Sequence, residues 1–152
     1  MRAPVLVTVV LAAALLAAPA TADARFVINR SMAGVRLGMD GAQVRARLGA
    51  PTRITRHGRT RNLVYRERRL FVTLVGGRVH ILSTEGRGQR GPLGVGVGTR
   101  EARLRRVVRR ARCESAEGVR TCVIGGFDLG EESTVFVIER RRVSAVTITR
   151  AF

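Results

Sequence analysis

"GVRLGMDGAQVRARLG" (residues 34–49) has a paler copy in "GVGVGTREARLRRVVR" (residues 94–109), sixty residues further along the chain. Gly34-Val35 align with Gly94-Val95, Leu37 with Val97 and Gly38 with Gly98; Ala42, Val44, Arg45 and Leu48 then align with Ala102, Leu104, Arg105 and Val108. Each copy reads as a glycine-rich approach to a short amphipathic helix. In the first, Asp40 stands as N-cap with Gln43 as its reciprocal partner, a variant of the capping box. The helix then runs over 41–48, with Gly49 as a left-handed cap and Pro51 preventing continuation. In the second copy Thr99 is the expected cap. At 100° per residue, Val97, Leu104, Val107, Val108 and Ala111 fall on one core-facing stripe.

Working outward, β-branched runs follow each helix. "TRNLVYRER", "RLFVTLV" and "RVHILST" come after the first, punctuated by Arg68-Arg69 and Gly76-Gly77. "RTCVIGG", "STVFVIE" and "RVSAVTITR" come after the second, with Arg140-Arg141 standing where Gly76-Gly77 stood. Such runs with tight punctuation predict antiparallel hairpins. The expected fold is therefore α+β: two tandem repeats, residues 25–88 and 89–152, packed as one compact unit. Each repeat is a short helical segment followed by a three-stranded antiparallel meander. One short helix on three strands buries too little to stand alone, so the duplication would complete a core.

The opening "MRAPVLVTVVLAAALLAAPATADA" has a basic start, an apolar run and A-x-A sites ending at Ala20 or Ala22, the layout of a cleaved signal peptide over residues 1–22. Removing 22 of the 152 residues leaves 130 with no further apolar run long enough to cross a bilayer. The expected location is outside the cytoplasm, secreted or periplasmic. The net charge of +17 comes from 28 basic residues, every one an arginine, so the surface attracts polyanions in a salt-dependent way. Cys113 and Cys122 are the two cysteines; in an oxidising compartment they predict a disulfide closed around a Glu117-Gly118 turn. Without nearby histidines they supply only half a zinc shell, so no metal is expected.

"GVRLGMDGAQVRARLGAPT" resembles the signature of the SmpA/OmlA small outer-membrane lipoproteins of the barrel-assembly machinery, roughly G-M-T-x-x-x-V-x-x-x-L-G-x-P followed by three strands. Gly38, Met39, Val44, Leu48, Gly49 and Pro51 match, and Asp40 replaces the capping threonine. Tandem use of such a unit is similar to the β-lactamase-inhibitor-protein architecture, whose two repeats form a concave sheet surface. The matching residues are caps and core positions, so the resemblance implies fold rather than function. Ala22-Asp23-Ala24 lacks the lipid-bearing cysteine of those lipoproteins. The chain is accordingly read as not lipid-anchored.

Enzyme chemistry has little to stand on. His57 lies in the arginine-rich "TRHGRTR", His80 alternates with Val79 and Ile81 on a strand, and Glu131-Glu132 reads as a solvated turn. No serine or cysteine has a base–acid partner set, so no catalytic residue and no cofactor is assigned. Gly94, Gly96 and Gly98 lack the lysine and the βαβ setting of a phosphate loop. With 4% aromatic residues and no tryptophan, the chain lacks the stacking platforms of single-strand nucleic-acid binders. The leading reading is a secreted, non-catalytic module binding a protein through an exposed sheet face, with Tyr65, Phe71 and Thr147 as candidate contacts. The alternative is binding of a polyanion or anionic membrane surface by an arginine-flanked helix near residues 99–112, with Arg103, Arg106 and Arg110 as contacts. Both leave the partner an unknown protein or an anionic envelope component.

Overall fold

Asp40 opens the first helix as the sequence requires. Its Oδ1 accepts the backbone N–H groups of Ala42 and Gln43, each at 2.9 Å, while Gln43 Oε1 accepts the Asp40 N–H at 3.0 Å. These contacts belong to a computed structural model that describes residues 25–152. The expected signal peptide, residues 1–22, lies outside the described residues. Helix α1 (Gly41–Leu48) ends at Gly49, whose φ of 81° is positive but whose ψ of −163° is not that of a left-handed helical cap. Helix α2 (Glu101–Val107) is capped by Arg100 without a side-chain bond, not by Thr99. The Thr99 hydroxyl instead accepts the Gly96 N–H at 3.0 Å, and its carbonyl accepts the Val143 N–H at 2.9 Å.

Strands make up most of the rest. Three two-residue strands, β1 (Phe26–Val27), β2 (Ser31–Met32) and β3 (Val35–Arg36), form a small antiparallel sheet before α1. After α1 come β4 (Arg53–His57), β5 (Thr60–Tyr65), β6 (Leu70–Val75) and β7 (Arg78–Thr84). After α2 come β8 (Arg112–Ala116), β9 (Val119–Gly125), β10 (Glu132–Glu139) and β11 (Arg142–Arg150). These eight strands make one antiparallel sheet in the order β4-β5-β6-β7-β11-β10-β9-β8.

This corrects the expected fold class. The chain is mostly β, with one eight-stranded antiparallel sheet and one three-stranded sheet, not two α+β repeats of a helix and a three-stranded meander. The strands missed were the two edges and the small sheet. "RITRH" has Ile54 as its one apolar side chain and "RCESA" only a cysteine and an alanine, because an edge strand defended by charge shows little hydrophobic alternation. Two-residue strands have no period to detect.

The fully covered apolar side chains of the large sheet lie on one of its faces; Ser133, on the other face beside Thr149, is also buried. Leu63, Leu70, Val72, Leu74, Leu82, Phe136, Val146 and Ile148 meet Val44 and Leu48 of α1, Leu104 and Val108 at α2, and Phe26, Met32 and Val35 of the small sheet. The expected stripe on the second helix is present: Val97, Leu104 and Val108 are buried, and Val107 and Ala111 pack at its margin. Helices of eight and seven residues are marginal alone, so each is held by its buried stripe, where a fully covered Val or Leu contributes about 1.5–3 kcal/mol.

The hairpin turns differ in chemistry. Gly76-Gly77, joining β6 to β7, have φ of 57° and 83°. Arg140-Arg141, joining β10 to β11, have φ of 47° and 60°. Glycine takes such angles freely, whereas a residue with a Cβ is strained there by about 1–2 kcal/mol. Cys113 and Cys122 are directly paired across β8 and β9 and form a disulfide, with Glu117 and Gly118 turning the hairpin at φ of 51° and 79°.

Two stability predictions follow from these elements. Cys113→Ser/Cys122→Ser opens a loop of sequence separation 9 and should cost about 2–3 kcal/mol. Asp40→Ala should cost about 1 kcal/mol through loss of the cap. Urea unfolding of each variant, followed by far-ultraviolet circular dichroism, measures both; an unchanged midpoint for either would refute its assignment.

Candidate functional site

With both helices and the small sheet on one side, the other face of the large sheet carries no element among the described residues. The strand register builds one continuous row across it. Arg53 pairs with Val64, Val64 with Phe71, Phe71 with Ser83, Ser83 with Thr147, Thr147 with Val135, Val135 with Val123, and Val123 with Arg112. Eight strands at about 4.8 Å spacing give this row a length of about 34 Å. Its six inner members are uncharged and partly exposed, and arginine stands at each end.

Side-chain hydrogen bonds knit the centre. Ser83 Oγ and Thr147 Oγ1 lie 2.9 Å apart across the β7–β11 junction. In the next row Thr73 Oγ1 donates to Asn62 Oδ1 at 2.8 Å. Hydroxyls already paired this way lower the cost of covering the face. Phe71, 37% exposed, is the largest apolar side chain of the row.

Of the sequence candidates, Phe71 and Thr147 thus come together on the open face. Tyr65 does not. It is 4% exposed on the opposite, core side, and its hydroxyl donates to the Gly49 carbonyl at 3.3 Å. Burial pushes its phenol above the usual value, while Arg45 and Arg68 pull the other way. Tyr65 is a core residue that ties β5 to the end of α1, and the contact role expected for it is withdrawn. Val64, Ser83, Val123 and Val135 belong to the row but were missed. Only the full strand register, including the two polar edges, reveals them.

The arginines expected to act together differ in their settings. Helix α2 ends at Val107, so Arg110 lies in the following turn rather than on a helix reaching residue 112. Arg103 Nη2 donates to the Leu93 carbonyl at 3.0 Å, and Arg106 and Arg110 are exposed. On the same helix, Glu101 accepts Arg120 Nε at 3.0 Å. The hydrogen bond to Arg120 holds the Glu101 carboxyl below its usual range, against the desolvation that burial adds. Glu101 also neighbours Cys113 and Cys122, their ligand atoms lying within 4.8 Å of one another. The S–S bond consumes both thiols, and Arg120 occupies the carboxylate.

Among the described residues neither histidine makes a hydrogen bond or ion pair with an acid. His57 ends β4 in an exposed position. The His80 ring stacks on Phe152 with centroids 4.7 Å apart. Of the Glu131-Glu132 pair, Glu132 accepts from Arg150, and Glu131 Oε2 accepts the Asp128 N–H at 3.3 Å.

No family model matches this chain, and no curated protein matches it. Solved structures share its fold. An extracellular protein containing a SCP domain from Bacillus anthracis is 10% identical, with a TM-score of 0.57, over 75% of this chain and 44% of that one. A cysteine-rich secretory protein from Staphylococcus aureus is 11% identical, with a TM-score of 0.50, again over 75% and 44%. A DUF4309 family protein from Bacillus subtilis is 14% identical, with a TM-score of 0.47, over 73% and 78%. This chain spans less than half the length of the first two. For the first two, at such identities, the likeness is one of fold.

The Glu101–Arg120 pair predicts a specific pH dependence. A carboxyl held down in the folded state contributes stability above its unfolded pKa, and that contribution is lost as pH falls through the lower folded value. The stability advantage of wild type over Glu101→Gln should therefore be full near pH 6 and shrink toward pH 3. Urea titrations of both proteins across that range would show it; a pH-independent difference would assign the pair no role.

Proposed function

We propose that this chain is an exported, non-catalytic binding module whose open sheet face receives a partner protein with a flat apolar patch rimmed by acidic groups. The observation that carries this reading is the row from Arg53 to Arg112: six uncharged positions spanning the sheet, with a cation at either end. An uncharged centre with a polar rim is how protein interfaces are built. The arginines at the ends suit an acidic rim and would speed encounter more than they strengthen the final complex.

Export is supported by the signal-like opening and by the paired cysteines, which belong to oxidising compartments. Two of the fold neighbours are described as extracellular or secretory proteins. No helix among the described residues is long and apolar enough to cross a membrane. The resemblance of residues 34–51 to the barrel-assembly lipoproteins contributes caps and core positions, none of which lies in the row.

Photo-crosslinking tests the face directly. A photoreactive residue at Ser83 should capture one acidic protein of the native host in 0.5 M salt, and the same probe at Arg56 should not. Phe71→Arg/Val135→Arg should abolish the Ser83 crosslink while leaving the circular dichroism spectrum unchanged. Equal capture from Ser83 and Arg56, or capture indifferent to the double substitution, would exclude the sheet face as the contact surface.

A further inference from the structure

The turn between β10 and β11 holds a second feature, independent of the open face. Arg140 and Arg141 stand at left-handed positions that the β6–β7 turn fills with Gly76 and Gly77. Two-residue hairpin turns of this kind favour glycine or asparagine, so retaining two arginines keeps strain and like-charge repulsion that glycine would relieve. Their neighbours explain what is gained. Together with Arg100 and Arg105 of the α2 segment, and with Arg142, they line a cleft of about 550 Å³ whose remaining members are Glu101 and Ala102.

The cleft is framed by bonds to three backbone carbonyls. The Glu101 N–H donates to the Arg141 carbonyl at 2.9 Å, the Gly98 N–H donates to the Val143 carbonyl at 2.7 Å, and Arg142 Nη1 donates to the Gly98 carbonyl at 3.0 Å. The turn is thereby fixed against the start of α2. Among the described residues, the guanidinium groups of Arg100, Arg105, Arg140 and Arg141 make no hydrogen bond or ion pair. The single carboxylate of the lining, Glu101, is engaged by Arg120. Glu139, the nearest further acid along the chain, and Glu85 line a neighbouring cleft that shares Arg140 and Arg142 with this one.

We infer that this cleft is a binding site for a soluble anion bearing several phosphate groups. Guanidinium forks match phosphate oxygens two by two, and a multiply charged ligand is needed to offset five cations in so small a volume. A membrane headgroup fits less well. Ala102 is the one apolar side chain of the lining, so nothing at the site would enter the acyl layer. The strained turn is the device that aims two of the five guanidinium groups.

Isothermal titration with inorganic triphosphate at 50 mM salt tests the site. Wild type should bind with one-to-one stoichiometry. Arg140→Gly/Arg141→Gly should bind at least tenfold more weakly while melting at a higher temperature, because glycine relieves the turn. Arg105→Ala, which leaves the turn untouched, should also weaken binding several-fold. Arg56→Ala/Arg59→Ala, removing equal charge from the distant β4–β5 hairpin, should change it less than twofold. No binding by wild type, or equal losses in the cleft and hairpin doubles, would overturn the assignment. So would co-sedimentation with phosphatidylglycerol vesicles that depends on Arg140 and Arg141 while triphosphate binding does not.

Discussion

The eight-stranded sheet is continuous only because β7 and β11 pair, and they do so through four residue pairs: Thr84 with Val146, Ser83 with Thr147, Leu82 with Ile148, and Ile81 with Thr149. Two of these pairs face the core and two face outward, so this short seam carries both sides of the molecule. On the core side Leu82, Val146 and Ile148 are fully buried, and Thr84 is buried yet satisfied by donating to the Arg69 carbonyl at 2.9 Å. Outside, the Ser83–Thr147 contact fastens the same seam. A one-residue slip would exchange those faces, placing Leu82 in water and Ser83 in the core. The burial pattern therefore fixes the register. The register in turn aligns the row that the proposed partner would meet.

Where each element carried its own local signature, the sequence could be read in advance. The capping box of Asp40 and Gln43, the bounds of α1, the Cys113–Cys122 hairpin and the core stripe on α2 all rest on contacts within a few residues. The larger organisation did not show, because its evidence is non-local. Polar edge strands β4 and β8 hide in arginine-rich text, and the joining of β7 to β11 leaves no mark on either strand. Counting three strands where four exist led to two α+β repeats rather than one mostly β sheet. Tyr65 failed for a related reason. A tyrosine looks amphipathic in a sequence, but strand parity decides its face, and its hydroxyl had a local carbonyl to satisfy it.

The arginine content also reads differently in three dimensions. An all-arginine set of 28 basic residues suggests a diffuse cationic surface. Some of these residues are structural: Arg120 holds Glu101, Arg150 holds Glu132, and Arg142 and Arg103 bond backbone carbonyls. Others guard the sheet edges, where Arg53, Arg56 and Arg112 discourage pairing with another chain. Of the arginines that the amphipathic wheel made conspicuous, Arg103 bonds the Leu93 carbonyl and Arg110 lies beyond the end of the helix. The concentration lies at a turn and a helix start that are about forty residues apart in the sequence and adjacent through the Arg100–Arg142 bridge.

Charge and neutrality thus divide the labour between the two surfaces. Five guanidinium groups held together repel one another, and a bound anion would relieve that repulsion, so the proposed cleft site would be sensitive to salt. The open face works by the opposite logic. Its β-branched and hydroxyl side chains lose little conformational freedom when covered, and the inter-strand hydroxyl pairs spare a partner the task of satisfying them. Its centre would thus gain from apolar burial that salt does not weaken. Under these two proposals one molecule would respond to ionic conditions at the turn while its sheet face held a partner through apolar contact, the two surfaces being joined by the strands of one sheet.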